Sequence, residues 1–406
     1  MNKIKKNIKN DYLYRFFSSF DITSAIWVLY LGYKGMNLAQ IGLLEGIFHI
    51  TGFLSEIPTG ALADLFGRRK SMIIGRMTSL LSAIIMLFSN SFIGFAIGFI
   101  LSAWGYNLNS GSEEALVYDT LKTLNKEDEY LRINGRLNLI IEVSKGLAVF
   151  IGGLLSQIDF AISYVVAIII GICSLTISFN FTEVQVIDEH QERITVVDHF
   201  KNSISILKGN KKLLNILIFF PIIYTFSAII YFYGQQFLSD MSYSRISISI
   251  IFLFNGVVSA LGAILSDRIY KRYKSLGWVL ITVIISLLII SMGYVTKGLL
   301  HSVYKEIDIV WGWLGVYDGA RNIIFISFLT AILQPISSKL INSMVESKQR
   351  ATIISVESMF YSLMMIILFP ICGLIADKFS LYVSFKIIGV IGVVITSIEM
   401  VSIRKK

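Results

Sequence analysis

The sequence predicts an all-α membrane protein: twelve transmembrane helices in two pseudo-symmetric six-helix bundles, with both termini cytoplasmic. Three observations predict it. Of 406 residues, 55% are hydrophobic and 16% charged, against about 45–50% and about 25% in soluble domains. Apolar runs reach about twenty residues, the length of a membrane-crossing helix, and lack the alternating ten-residue pattern of a β-barrel. Third, lysine and arginine gather on alternate connections, as they do in polytopic proteins.

The elements follow in order. Lys3, Lys5, Lys6 and Lys9 precede an apolar run over 12–33. No small-residue cleavage site follows a short core, so the run reads as a retained first span, not a signal peptide. Spans two to six are expected at 41–63, 72–89, 91–118, 135–157 and 160–182. A hydrophilic stretch, 183–211, carries Glu183, Asp188, Glu189, Glu192 and Asp198 beside Arg193 and Lys201, and reads as a cytoplasmic linker. The remaining spans are expected at 212–238, 245–267, 276–296, 320–342, 352–376 and 380–401. Trp311, Trp313 and Tyr317 suit an interfacial segment before the tenth. This gives a first bundle over 1–182, the linker over 183–211 and a second bundle over 212–406.

With the N-terminus inside, the exterior connections hold only Lys34, Arg245, Lys297, Lys305, Arg321 and Lys378 of the 36 basic residues. Lys145 and Lys386 fall within spans, and the rest lie on the cytoplasmic side. The net charge of +9 therefore reports orientation, and nucleic acid is not an expected partner. Cys173 and Cys372 both sit in apolar runs and suggest packing residues. Neither a Walker loop, a nucleophile elbow nor a His–Glu metal motif occurs, so no enzyme, ATP drive, cofactor or metal is expected. A monomer in a bacterial cell (inner) membrane, with the lipid bilayer, protons and a small-molecule substrate as partners, is the corresponding expectation.

The connector "GALADLFGRRK", Gly60 to Lys70, interrupts two apolar runs with one acid and three bases. Gly60 permits close helix packing and Gly67 a tight turn. Asp64, at a helix end, can accept backbone N–H groups from another helix's N-terminus, and Arg68 offers a fork to a carboxylate such as Asp119. Arg69 and Lys70 also serve as positive-inside anchors. Aligning Asp64 with Asp267 sets "ADLFGRRK" over "SDRIYKRY", an echo between the two halves.

This connector resembles the signature of the major facilitator superfamily (MFS), usually written G-x-L-a-D-r-x-G-r-R/K-R/K. Gly60, Leu62, Ala63, Asp64, Gly67, Arg68, Arg69 and Lys70 match it, with Leu65 in place of a basic residue. "SGSEEALVYDTLK" (110–122) and "ESKQRATIIS" (346–355) resemble the drug-exporter-like branch, although Ala148 and Val149 stand where that branch has Gly-Pro in span five. The resemblance implies the MFS fold and a conformational gate built from Gly60, Asp64, Gly67, Arg68, Arg69 and Asp119.

Ionisable residues at membrane depth are expensive and mark functional positions by default. Asp21 lies mid-way along span one and suits a proton carrier, a cation's counter-ion or a hydrogen-bonded structural carboxylate. Glu142 and Lys145 share one helix face in span five, either as a neutralised pair or as a proton-sensitive one. Glu45 and His49 are four apart in span two. Glu56, Glu113 and Glu114 suit gating or packing, with Arg76 available to neutralise one of them. The second half offers Asn255, Asp318, Arg321 and Glu357. These features predict a secondary active transporter working by alternating access, exporting small amphiphilic or drug-like molecules in exchange for protons. Uptake of a sugar, organic acid or peptide is the alternative, and a non-transporting membrane sensor or scaffold is the second.

Overall fold

The computed structural model describes residues 2–184, 210–294, 318–345 and 350–404. The expected linker, apart from its edges, and the Trp311–Tyr317 segment lie outside them. The described residues form twelve α-helices, one 3-10 turn and no strand. They are α1 (Asn2–Ser18), α2 (Trp27–Tyr33), α3 (Leu38–Phe66), α4 (Arg68–Phe88), α5 (Phe92–Thr123), α6 (Tyr130–Ile158), α7 (Phe160–Ser178), α8 (Lys211–Asp240), α9 (Arg245–Met292), α10 (Asp318–Asn342), α11 (Arg350–Lys378) and α12 (Leu381–Arg404). Among the described residues, ten helices are long and apolar enough to cross a membrane.

The helix starts follow from local chemistry. Asn37 and Gln40 cap α3 reciprocally, each side chain accepting the other's backbone N–H, a capping box. Ser91, Asp159, Asn210 and Ser244 accept N–H groups in the first turns of α5, α7, α8 and α9. All four prolines, Pro58, Pro221, Pro335 and Pro370, lie inside long helices, a placement that membrane helices tolerate where neighbours satisfy the freed carbonyls.

One boundary differs from the sequence expectation. The first apolar run is not one helix: it breaks between Ser18 and Trp27. The Asp21 carboxylate accepts Thr23 N–H at 2.9 Å and Thr23 Oγ1–H at 2.7 Å, and Ser24 Oγ donates to the Asp21 carbonyl. Such local side-chain bonds compete with helix. Gly152 of α6 lets the break pack close, because a Cβ there would overlap the Ile22 carbonyl oxygen. Spans eight and nine fall within α9 as two helical segments that meet at a kink at Lys274 (φ 46°, ψ −129°), between the expected spans 245–267 and 276–296.

The chain divides into two compact units, one of residues 1–27 with 44–194 and one of 28–43 with 195–406. In unit 1, Tyr14, Met72, Leu116, Phe181 and Val184 make one buried cluster. Val117, Leu121, Ile133 and Leu137 make another, covered by Ile8, Tyr12 and Tyr130. Unit 2 buries an aromatic group of Phe219, Phe220, Tyr224 and Trp278.

Candidate functional site

Three settings hold many of the charge-bearing side chains of unit 1: a buried cluster, a capped turn and an exposed polar face.

The buried cluster centres on Glu113 of α5. Its Oε2 accepts Arg15 Nη1 at 2.6 Å, and its Oε1 accepts Arg76 Nη2 at 2.8 Å. The Tyr14 hydroxyl lies 2.8 Å from Glu113 Oε1 and accepts Arg76 Nε at 2.8 Å. Asp11 stands 3.6 Å from Arg15. Spacing explains the assembly: Tyr14 and Arg15 lie three and four residues after Asp11 on α1, hence on its face, and Arg76 of α4 reaches the same point. Sequence reasoning offered Arg76 as a neutraliser but passed over Asp11, Tyr14 and Arg15. The i, i+4 pair Asp11–Arg15 was the available signal.

The capped turn is the connector 60–70. Gly67 has φ 94° and ψ 155°, a region open essentially to glycine alone. The turn aims the first N–H groups of α4 outward. Glu183, just beyond α7, fills that cradle, with Oε1 on Arg68 N–H at 2.9 Å and Oε2 on Arg69 N–H at 3.0 Å. A helix N-terminus favours such a carboxylate. Arg69 Nη2 also donates to the Phe179 carbonyl at 2.9 Å. Glu183 reads in the sequence only as a linker acid. Gly60 is exposed, and no described atom comes within 4 Å of its would-be Cβ. The Asp64 side chain lies outside what is described, and Asp119 sits half-buried one turn before the end of α5.

The exposed polar face belongs to α6, which divides into three sectors. Leu137, Ser144 and Ala148 are buried. Leu139, Val143 and Leu147 form an exposed apolar stripe. Gly135, Asn138, Glu142 and Lys145 form an exposed polar stripe about a third of a turn away. Lys145 Nζ donates to Glu142 Oε1 at 2.9 Å, and the two side chains are 56% and 70% exposed. An ion pair at mid-span is costly in lipid, and here it lies on the exposed polar stripe and not on the apolar one.

The remaining sequence-predicted residues are scattered. His49 Nε2 lies 3.5 Å from Glu45 Oε1, both nearly buried. Asp21 is exposed in its turn, and Glu56 and Glu114 are exposed on α3 and α5. In unit 2, Asn255 is buried, with no hydrogen-bond partner for Oδ1 among the described residues. Glu357 is half-buried, Arg321 exposed, and the Asp318 side chain undescribed. Asp267 pairs with Lys271 on its own helix at 2.6 Å. Glu399, buried in α12 and bonded by Asn215, was missed. No cluster of three potential metal ligands occurs among the described residues.

Long apolar helices and the glycine turn at 67 suit a polytopic membrane protein, and residues 12–317 match the Major Facilitator Superfamily. The chain belongs to that superfamily. YxaM of Bacillus subtilis (strain 168), an uncharacterized MFS-type transporter, is 24% identical over 376 residues, 91% of this chain and 88% of its own. MJ1560 of Methanocaldococcus jannaschii, also an uncharacterized MFS-type transporter, is 25% identical over 303 residues, 72% of this chain and 74% of its own. Among solved structures, the nucleoside transporter NupG superposes with a TM-score of 0.80 at 13% identity, over 100% of both chains. A D-xylose-proton symporter gives 0.69 at 13% identity, over 97% of this chain and 95% of that one. At such identities the likeness shows the fold: this is an all-α MFS transporter fold.

Proposed function

We propose that this MFS protein is a secondary active transporter that exports small amphiphilic molecules in exchange for protons, opening its solute path to one side of the membrane at a time. The observation that carries the reading is the exposed Glu142–Lys145 pair within a predicted span. A charge at bilayer centre costs about 2.5–3.5 kcal/mol on insertion scales, so this face of α6 requires an aqueous path through the protein. A carboxylate on such a path exchanges protons with it directly. Protonating Glu142 releases Lys145, which changes the charge presented to a solute. Asp21, exposed at the break in the first span, is the second carboxylate we assign to this role. The exporter-like stretches of the sequence support the outward direction, and no enzymatic step is proposed.

Everted membrane vesicles given a proton gradient and a panel of labelled amphiphiles test the reading. The expected result is concentration of at least one compound, abolished by a protonophore and reduced at least tenfold by Glu142→Gln with Lys145→Gln. Accumulation only in right-side-out vesicles would replace export with uptake. No gradient-dependent movement in either orientation would refute coupled transport.

A further inference from the structure

The chemistry that the sequence suggests for Asp64 is realised at a second place. Gly373–Leu374–Ile375–Ala376–Asp377 repeats the G-x-x-A-D order of Gly60–Ala61–Leu62–Ala63–Asp64, and each stretch closes a long helix, α11 and α3 respectively. The charge-derived topology puts Asp64 on the cytoplasmic side and Asp377 on the exterior side.

Asp377 grips the start of α3. Its Oδ1 accepts Leu38 N–H at 3.0 Å and its Oδ2 accepts Ala39 N–H at 2.8 Å. These donors have no partner within the helix, and the negative charge suits a helix N-terminus. The Tyr233 hydroxyl donates to the Leu38 carbonyl at 2.8 Å, and Gln235 Oε1 accepts Val28 N–H at 3.3 Å. Two glycines allow the approach. A Cβ on Gly373 would overlap the Leu38 carbonyl, and one on Gly42 would lie 2.8 Å from Pro370 Cα. Residues 28–43 are thereby part of unit 2, whereas 44–66 of the same continuous helix belong to unit 1.

We propose that Asp377, with Tyr233, forms a releasable exterior latch on the 28–43 hairpin, a second copy of the motif's chemistry that lets go when the solute path opens outward. This rests on the transport reading above. Its bonds suit release: they are polar, and the one to Leu38 is exposed, so water replaces them at small net cost.

The latch is tested without a solute. Ala39, 7% exposed, is changed to cysteine in a chain carrying Cys173→Ser and Cys372→Ser, and sealed right-side-out vesicles receive a membrane-impermeant maleimide. Asp377→Ala should raise the labelling rate about tenfold, equivalent to about 1.4 kcal/mol, and Tyr233→Phe severalfold. Unchanged rates in both variants overturn the latch, as does labelling reachable only from the cytoplasmic side. Should Asp377→Ala fail to insert, Tyr233→Phe alone decides. Faster labelling with no transport of any compound upholds the latch and removes the transport reading. Transport with unchanged labelling does the reverse.

Discussion

Gly67→Ala is the substitution whose consequence the structure specifies most fully. The backbone at φ 94° and ψ 155° costs a residue with a side chain about 1–3 kcal/mol. The new Cβ would also meet Glu183, 2.6 Å from both Cδ and Oε2, so the carboxylate has to leave the first turn of α4. Each lost bond to that charged group is worth about 1.5–3 kcal/mol when buried, and less here because water reaches a half-buried site. The total comes to about 3–5 kcal/mol. Glu183→Gln keeps one acceptor and gives up the charge, at about 1–2 kcal/mol.

Thermal unfolding of the purified protein in detergent reads both. Gly67→Ala should lower the midpoint by about 4–6 °C and Glu183→Gln by less than half as much. The double variant should fall short of the sum, because the alanine has already evicted the glutamate. Full additivity would mean that Gly67 acts through its backbone alone. A Gly67→Ala protein as stable as its parent would refute the clash itself. Gly60→Ala is the control: with open space at its Cβ, it should be neutral or stabilising by about 0.5–1 kcal/mol. A loss there equal to that at Gly67 would show that the motif's glycines do not act through local geometry.

Other consequences follow from the same geometry. Glu113→Gln leaves two buried guanidinium groups without their shared charge and should destabilise by about 3–5 kcal/mol, seen as loss of the monodisperse species in detergent. Asp21→Asn keeps an acceptor for the Thr23 bonds and should change stability by under about 1 kcal/mol; a proton role is refuted if the pH profile of transport is unmoved. Cysteines replacing Asn138 and Lys145 should react with a hydrophilic maleimide, whereas cysteines replacing Val143 and Leu147 should not; equal reactivity would sink the aqueous path proposed along the polar face of α6.

Hydrophobic runs made most of the helices legible, since a membrane helix announces itself by length. The break at 19–26 escaped because a window averaging over Ile22, Ala25 and Ile26 hides the Asp21–Thr23–Ser24 turn. The charged residues 267–274 read as a break between spans eight and nine, and the backbone leaves helical geometry there, at Lys274. The pairs Glu45–His49 and Glu142–Lys145 were readable because helical spacing alone brings them together. Glu183 and Asp377 were not. Each owes its role to N–H groups more than a hundred residues away, and no local pattern marks an acid as a remote cap.

The energies of these carboxylates separate framework from moving part. Glu113 is buried between two arginines, and breaking that cluster leaves charges with nothing to replace their partner. A transport cycle that disrupted it would cost several kcal/mol at every turn. The carboxylates at the ends of α3 differ. Asp377 holds its first residues, and Glu183 holds the helix that starts just past its last one. Both bind backbone N–H groups that water can serve instead. α3, with 29 residues, is about 44 Å long and exceeds the roughly 30 Å hydrocarbon core, long enough for its ends to reach the membrane–water interface. Conformational change should therefore be sought at the ends of α3, and the Glu113 cluster should stay closed throughout.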